Sequence, residues 1–137
     1  MSFDPYIHFQ GNCREAMETY AQIFGGKLEI MTYDDAPDAT EAMKASGLVM
    51  HSTLHLGDRM LHASDFPPGH TGEPQQAVTI SHIAPTDAEA RRLFAALAKG
   101  GTLMMEYQPT FWSDGFGMLK DRFGTSWMIS APWRQPA

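Results

Sequence analysis

Cysteine is nearly missing from this chain: Cys13 is its single example. One thiol excludes an internal disulfide and suits a reducing compartment, so a cytoplasmic protein is expected. Basic residues are few and scattered, ten Lys and Arg against sixteen Asp and Glu, for a net charge of -6. Without a Lys/Arg stripe there is no electrostatic footprint for nucleic acid. The mild acidity gives no attraction to anionic partners. Long apolar runs are missing too, and a membrane-crossing helix needs roughly 20 such residues, so no membrane partner is expected. The opening MSFDPYIHFQ has neither the basic nor the apolar segment of a signal peptide, and none is expected. What is abundant is methionine, ten in 137 residues. Methionine is an adaptable side chain that suits cores and pockets alike.

The length predicts one domain, or two small modules sharing a core. Residues 5–10 read as a first strand, stopped by Gly11. Asn12, followed three residues later by Glu15, has capping-box spacing. The helix it starts would carry Met17, Tyr20, Ile23 and Phe24 on one face and end at Gly25-Gly26. Residues 27–33 read as a strand, and residues 34–47 as a mobile polar loop with at most a helical turn.

Residues 48–56 and 59–65 flank Gly57-Asp58, a hairpin turn signal. That turn sets Leu56 opposite Arg59, Thr53 opposite His62 and His51 opposite Ser64. Strand alternation then sorts Met50, Leu54, Leu56, Leu61 and Ala63 to one face. The other face takes His51, Thr53, His55, Met60, His62 and Ser64. His51 and His55 lie about 13 Å apart along the strand, too far to share an ion. His51 and His62 are diagonal neighbours at about 7–8 Å, close enough for two imidazoles to converge on one metal. The histidines either bind a ligand or metal, or they fill hydrogen-bonding positions on the sheet or at a dimer contact.

After the Pro/Gly-rich linker FPPGHTGEP the plan repeats. Residues 76–83 read as a strand and Thr86 to Glu89 as a second capping box. Ala90, Leu93, Phe94 and Leu97 share a helix face, and Gly100-Gly101 closes it, 75 residues after the first glycine pair. In TFWSDGFGMLKDRFGTSWMIS, residues 110–130, apolar residues alternate with small or polar ones around a turn at Asp121 to Gly124. Trp112 and Trp127 mark the ends of this hairpin, and so much aromatic area suggests a cavity wall. The expected organisation is a first βαβββ module over 1–67, a linker over 68–75, a second module over 76–131 and a tail over 132–137.

The runs GNCREAMETYAQIFGGKLEIMTYDDAP, VMHSTLHLGDRMLHASD, RLFAALAKGGT and TFWSDGFGMLKDRFGTSWMIS resemble the PhnB-like proteins of the glyoxalase/bleomycin-resistance/dioxygenase, or vicinal oxygen chelate, superfamily. The likeness spans nearly the whole chain. It implies an α+β fold of two βαβββ modules whose curved mixed sheets enclose a cavity, and a homodimer. It also implies a small-molecule ligand.

Metal enzymes of the superfamily bind a divalent ion through a His early in a module's first strand and a Glu late in its last. They use it as a Lewis acid. Aligned on the capping boxes, the His positions fall near Pro5 and Thr79, and the Glu position falls on Met128. None of these is a usual ligand. His8 is near, but out of that register and expected on the opposite face. The expected function is therefore small-molecule binding without the usual metal, with His51, His62, Ser64, Trp112 and Met128 as ligand contacts. The alternative is a divalent-metal lyase, isomerase or dioxygenase rearranged around His51 and His62. Some relatives carry a name suggesting ubiquinone methyl transfer, for which the sequence offers no glycine-rich loop. Phe116 and Trp127 are further candidate wall residues. His70 and His82 read as structural. Asp65 reads as a base or a turn ligand, and Cys13 as a helix-start thiol of lowered pKa or a buried filler.

Overall fold

The computed structural model describes residues 1–134. The chain divides into two compact units, one over Met1–Gln75 and one beginning at Gln76.

The first unit runs β1 (Tyr6–Phe9), α1 (Cys13–Phe24), β2 (Lys27–Thr32), a 3-10 turn at Tyr33–Asp35, α2 (Glu41–Ala45), β3 (Val49–Leu56) and β4 (Arg59–Asp65). The second runs β5 (Thr79–Ile83), α3 (Asp87–Ala98), β6 (Thr102–Gln108), β7 (Phe116–Lys120) and β8 (Ser126–Ser130). Each forms a four-stranded mixed sheet with its first and last strands parallel at one end, in the orders β1-β4-β3-β2 and β5-β8-β7-β6. The duplicated βαβββ plan is thus present. The sheets are open rather than curled around a cavity: β1 and β2, and β5 and β6, are their edges.

Each helix covers one face of its own sheet. Cys13, Ala16, Met17 and Tyr20 are buried on α1, and Ala90, Leu93, Phe94 and Leu97 on α3. Both sets have i, i+3, i+4, i+7 spacing, which makes one stripe on a helix. Ile23 and Phe24, expected on the α1 stripe, are half-buried. Beneath α1 lie Ile7, Phe9, Ser52, Leu54 and Ala63, and beneath α3 lie Leu119, Trp127 and Ile129.

The first capping box does not form. Asn12 makes no side-chain cap, and the amides of Gly11 and Cys13 donate instead to Asp65 Oδ1 at 3.0 and 2.9 Å. Asp65 Oδ2 takes the Val49 amide at 2.9 Å. In the second unit, Thr86 caps α3 itself by accepting from the Glu89 amide, while the Glu89 carboxylate is held by Arg92.

Other boundaries move for local reasons. Strand β5 starts at Thr79 rather than 76 because Ala77 has φ 59, a left-handed value that ends extended chain. The stretch 34–47 contains the end of the 3-10 turn and α2: the Thr32 amide donates to Asp35, and Thr40 caps α2 by accepting from the Met43 amide. Residues 110–115 form a loop, so Trp112 precedes the β7–β8 hairpin. That loop is pinned by the expected tail: Ser113 bridges to Trp133, and Arg134 donates to the Thr110 carbonyl and pairs with Asp114. Residues 135–137 of the expected tail lie outside the described residues.

The glycine pairs permit close approach. A Cβ on Gly26 would sit 2.2 Å from the His55 carbonyl oxygen, and one on Gly101 2.3 Å from that of Lys120. Gly25 meets nothing within 4 Å, although its φ is 79. Gly26→Ala and Gly101→Ala should each cost about 3 kcal/mol, and Gly25→Ala about 1 kcal/mol. Urea unfolding midpoints check the ordering, and equal losses for Gly25 and Gly26 would contradict it. Asp65→Ala should cost about 3 kcal/mol or more in the same assay, because it strands buried amides.

Candidate functional site

In the first sheet α1 takes one face and leaves the other open. The pairing Thr53↔His62, Leu54↔Leu61 and Leu56↔Arg59 is the expected hairpin register. The parallel pairing Tyr6↔His62 and His8↔Ser64 adds Tyr6 and His8 to the same face, because strand partners point the same way. His8 therefore lies on the face of His62. The expectation that it pointed away came from a register set on Pro5, which precedes the strand.

These groups touch. The Tyr6 hydroxyl is 2.9 Å from His51 Nδ1. His51 Nε2 is 3.1 Å from Thr53 Oγ1, and Thr53 Oγ1 is 2.9 Å from His62 Nδ1. The imidazoles of His51 and His62 have centroids 5.4 Å apart. The Tyr6 ring lies 5.6 Å from that of His51, 5.9 Å from that of His62 and 5.1 Å from that of His8. His8 stacks in turn on Phe66 at 5.4 Å. Thr53 is buried while Tyr6 is 43% exposed, so the cluster is anchored below and open above.

The other predicted residues are engaged differently, although Ser64 shares this face opposite His8. Ser64 is buried on β4. His55 is held 3.0 Å from Glu29, which pairs with Thr53. That contact, with Lys27 adding to it, keeps the Glu29 carboxyl below its usual range. Asp65 serves the backbone. Cys13 is fully buried, and burial pushes its thiol up to about 12, the opposite of helix-start activation. His70 lies in the linker, where its carbonyl accepts from the Gln10 side chain.

In the second unit Met128 pairs with Met118 and Ser81 on the open face, half-buried. Trp112, in the preceding loop, sets its ring edge-on to Phe116 at 5.3 Å. Trp127 is no wall residue: it lies on the α3 side, and its indole donates to Asp121 at 2.9 Å. Asp121 also takes the Phe123 and Thr125 amides, which shapes the turn.

The His51–His62 pair does not fit a divalent ion as it stands. Both ring nitrogens of His51 and Nδ1 of His62 are engaged in hydrogen bonds, which leaves His62 Nε2 as the one ring nitrogen of the pair without a partner among the described residues. Among those residues no group of three or more His, Cys, Asp or Glu could hold a metal ion. No helix among them is long and apolar enough to cross a membrane.

The family described as 3-demethylubiquinone-9 3-methyltransferase matches residues 1–130. The solved structure of PA1353 from Pseudomonas aeruginosa is 41% identical over 96% of this chain and 97% of its own, with a TM-score of 0.87. A putative 3-demethylubiquinone-9 3-methyltransferase, PhnB protein, from Bacillus cereus is 25% identical over 96% of this chain and all of its own, with a TM-score of 0.76. The chain belongs to this PhnB-like family, and it shares its fold with a glyoxalase/bleomycin resistance protein/dioxygenase family enzyme from Burkholderia phytofirmans PsJN, 15% identical over 93% of this chain and 95% of its own, with a TM-score of 0.61. Protein YjdN of Escherichia coli, 28% identical over 99% of both chains, is a further relative of this PhnB-like chain. The family description speaks of methyl transfer. The described residues of the PhnB-like chain form no doubly wound parallel sheet and no glycine-rich strand-to-helix loop for a nucleotide cofactor.

Sequence reasoning placed the hairpin histidines but missed Tyr6. The usable signal was the period of two linking Tyr6 to His8, and the missing one was which strand β1 pairs with.

His82 turns toward the α3 side of β5, opposite Ile129. Burial lowers its pKa below the ordinary 6.5, and Glu89 opposes this only in part. Its neutral form is therefore favoured by folding. That contribution is full above pH 6.5 and is lost as the pH falls from there toward the lower folded value. An NMR titration should find His82 protonating below 6.5, and a value at or above 6.5 would contradict the burial.

Proposed function

We propose that this PhnB-like protein binds a small, partly apolar molecule on the open face of its first sheet. The observation that carries the reading is the contiguous cluster of Tyr6, His51, Thr53 and His62, partly exposed and flanked by His8 and Phe66. Rings present flat apolar area, while His62 Nε2 and the Tyr6 hydroxyl fix orientation by hydrogen bonds. This is the usual mixture in a small-molecule site. Ser64 contributes from the same strand face.

In the second unit, Trp112 and Met128 furnish apolar contacts of that sheet's own open face. Open, partly apolar faces such as these also support the homodimer that the family resemblance implies, and sedimentation at micromolar concentration checks it. A fold hosts many chemistries, so the site rather than the family description carries the function.

A panel of small neutral carbonyl compounds, phenols and nitrogen heterocycles, screened by chemical-shift perturbation, tests the reading. A binder should move the imidazole signals of His51 and His62 and weaken about tenfold in His62→Ala, the loss of one hydrogen bond. Binding left unchanged in both His51→Ala and His62→Ala would overturn it.

A further inference from the structure

The contacts around His51 form a chain: Tyr6 hydroxyl to His51 Nδ1, His51 Nε2 to Thr53 Oγ1, Thr53 Oγ1 to His62 Nδ1. Phenol, neutral imidazole and hydroxyl can each serve as one donor and one acceptor. Used that way, the chain has two arrangements. In one, Tyr6 donates to His51, His51 to Thr53 and Thr53 to His62, so His62 carries its hydrogen on Nε2. In the other, His62 donates to Thr53, Thr53 to His51 and His51 to the Tyr6 oxygen. His62 Nε2 is then a bare acceptor, and the Tyr6 hydrogen is free to point at a ligand. Both fit the same heavy-atom positions.

We infer that this chain is a proton relay, through which the first unit catalyses keto–enol tautomerisation of a neutral 1,3-dicarbonyl compound. The inference rests on the reading that the open face of the first sheet binds a small molecule. His62 Nε2 takes the proton from the carbon between the carbonyls as that C–H bond breaks. His62 Nδ1–H passes its proton to Thr53, the Thr53 hydroxyl to His51 Nε2, and His51 Nδ1–H to the Tyr6 oxygen. Tyr6 delivers its own proton to a carbonyl oxygen, and the O–H bond of the enol forms. One proton enters the chain and one leaves it. No oxidant, reductant or further reactant is needed, and ketonisation is the same sequence reversed. After enol release, exchange with water at the exposed Tyr6 hydroxyl and at His62 Nε2 restores the starting arrangement.

The substrate class follows from the surroundings. A 1,3-dicarbonyl has a C–H acidic enough for an imidazole base, and its base and acid sites lie on one short molecule. No cation belongs to the chain of contacts, and Lys27, at the margin of the face, is engaged by Glu29, so a neutral compound suits it better than a carboxylate. Tyr6 and His62 are the catalytic residues. His51 and Thr53 are positioning residues acting through them.

The experiment uses pentane-2,4-dione as its enol, diluted from dry solvent into buffered protein. Ketonisation is followed by loss of enol absorbance, and saturation by the dione is measured separately by chemical shift. Wild type should accelerate the reaction over buffer, with Tyr6→Phe and His62→Asn each losing about a hundredfold of that acceleration. Thr53→Val, which interrupts the chain without touching the dione, should lose a similar factor while binding is kept, and Thr53→Ser should restore it. Circular dichroism separates loss of fold from loss of relay, and the Thr53→Ser variant keeps the test open where Thr53→Val unfolds. Equal rates in wild type, Thr53→Val and Thr53→Ser overturn the relay. If the dione still saturates the protein, the binding reading survives that result. Failure of the dione to bind overturns the substrate class, whatever the rest of the panel shows.

Discussion

The buried carboxylate of Asp65 holds the first unit together. It stands at the end of β4 and collects amides from the β1–α1 junction and from the start of β3. One side chain thus ties three separate stretches at one point. A charged acceptor with several amide donors is a strong arrangement because each N–H···O⁻ contact is charge-assisted and shielded from water. The parallel register of β1 on β4 follows from it. That register decides whether Tyr6 or Ile7 faces the open side. A slip of one residue would bury the phenol under α1 and leave the histidines without their hydroxyl partner.

The second unit solves the same problem differently. Thr86 caps its own helix, and the buried carboxylate of Asp121 serves the β7–β8 turn and the Trp127 indole. Two units with one topology therefore place their buried acids at different joints. Their open faces differ as well: rings and hydroxyls on one, Met118, Met128 and serines on the other. The backbone plan is the same in both units, while the side chains that face outward differ. This is why membership of the PhnB-like family says more about the scaffold than about the reaction.

Much of the fold was legible because its signals are local. Helix stripes, glycine pairs and the Gly57-Asp58 turn depend on neighbours within a few residues, and the structure keeps each of them. The hairpin register was legible for the same reason, since a two-residue turn leaves little choice of partners. The errors share a cause. Asn12 had cap spacing but lost its role to Asp65, more than fifty residues away. Strand β5 began late because Ala77 turns left-handed, which residue type does not announce. Trp127 looked like a wall until Asp121 and α3 claimed it.

From the sequence alone came the two βαβββ units, the resemblance to a family, and a polar hairpin face bearing His51, Thr53 and His62. The units and the hairpin face follow from periodicity and turn chemistry, which act along the chain, and the resemblance is carried by whole runs of residues. The tertiary structure alone decided that Tyr6 and His8 join that face, that both ring nitrogens of His51 and Nδ1 of His62 meet hydroxyls, and that each sheet stays open. Those outcomes depend on how each unit's first strand pairs with its last, β1 with β4 and β5 with β8, contacts between segments far apart in sequence, which no local pattern encodes.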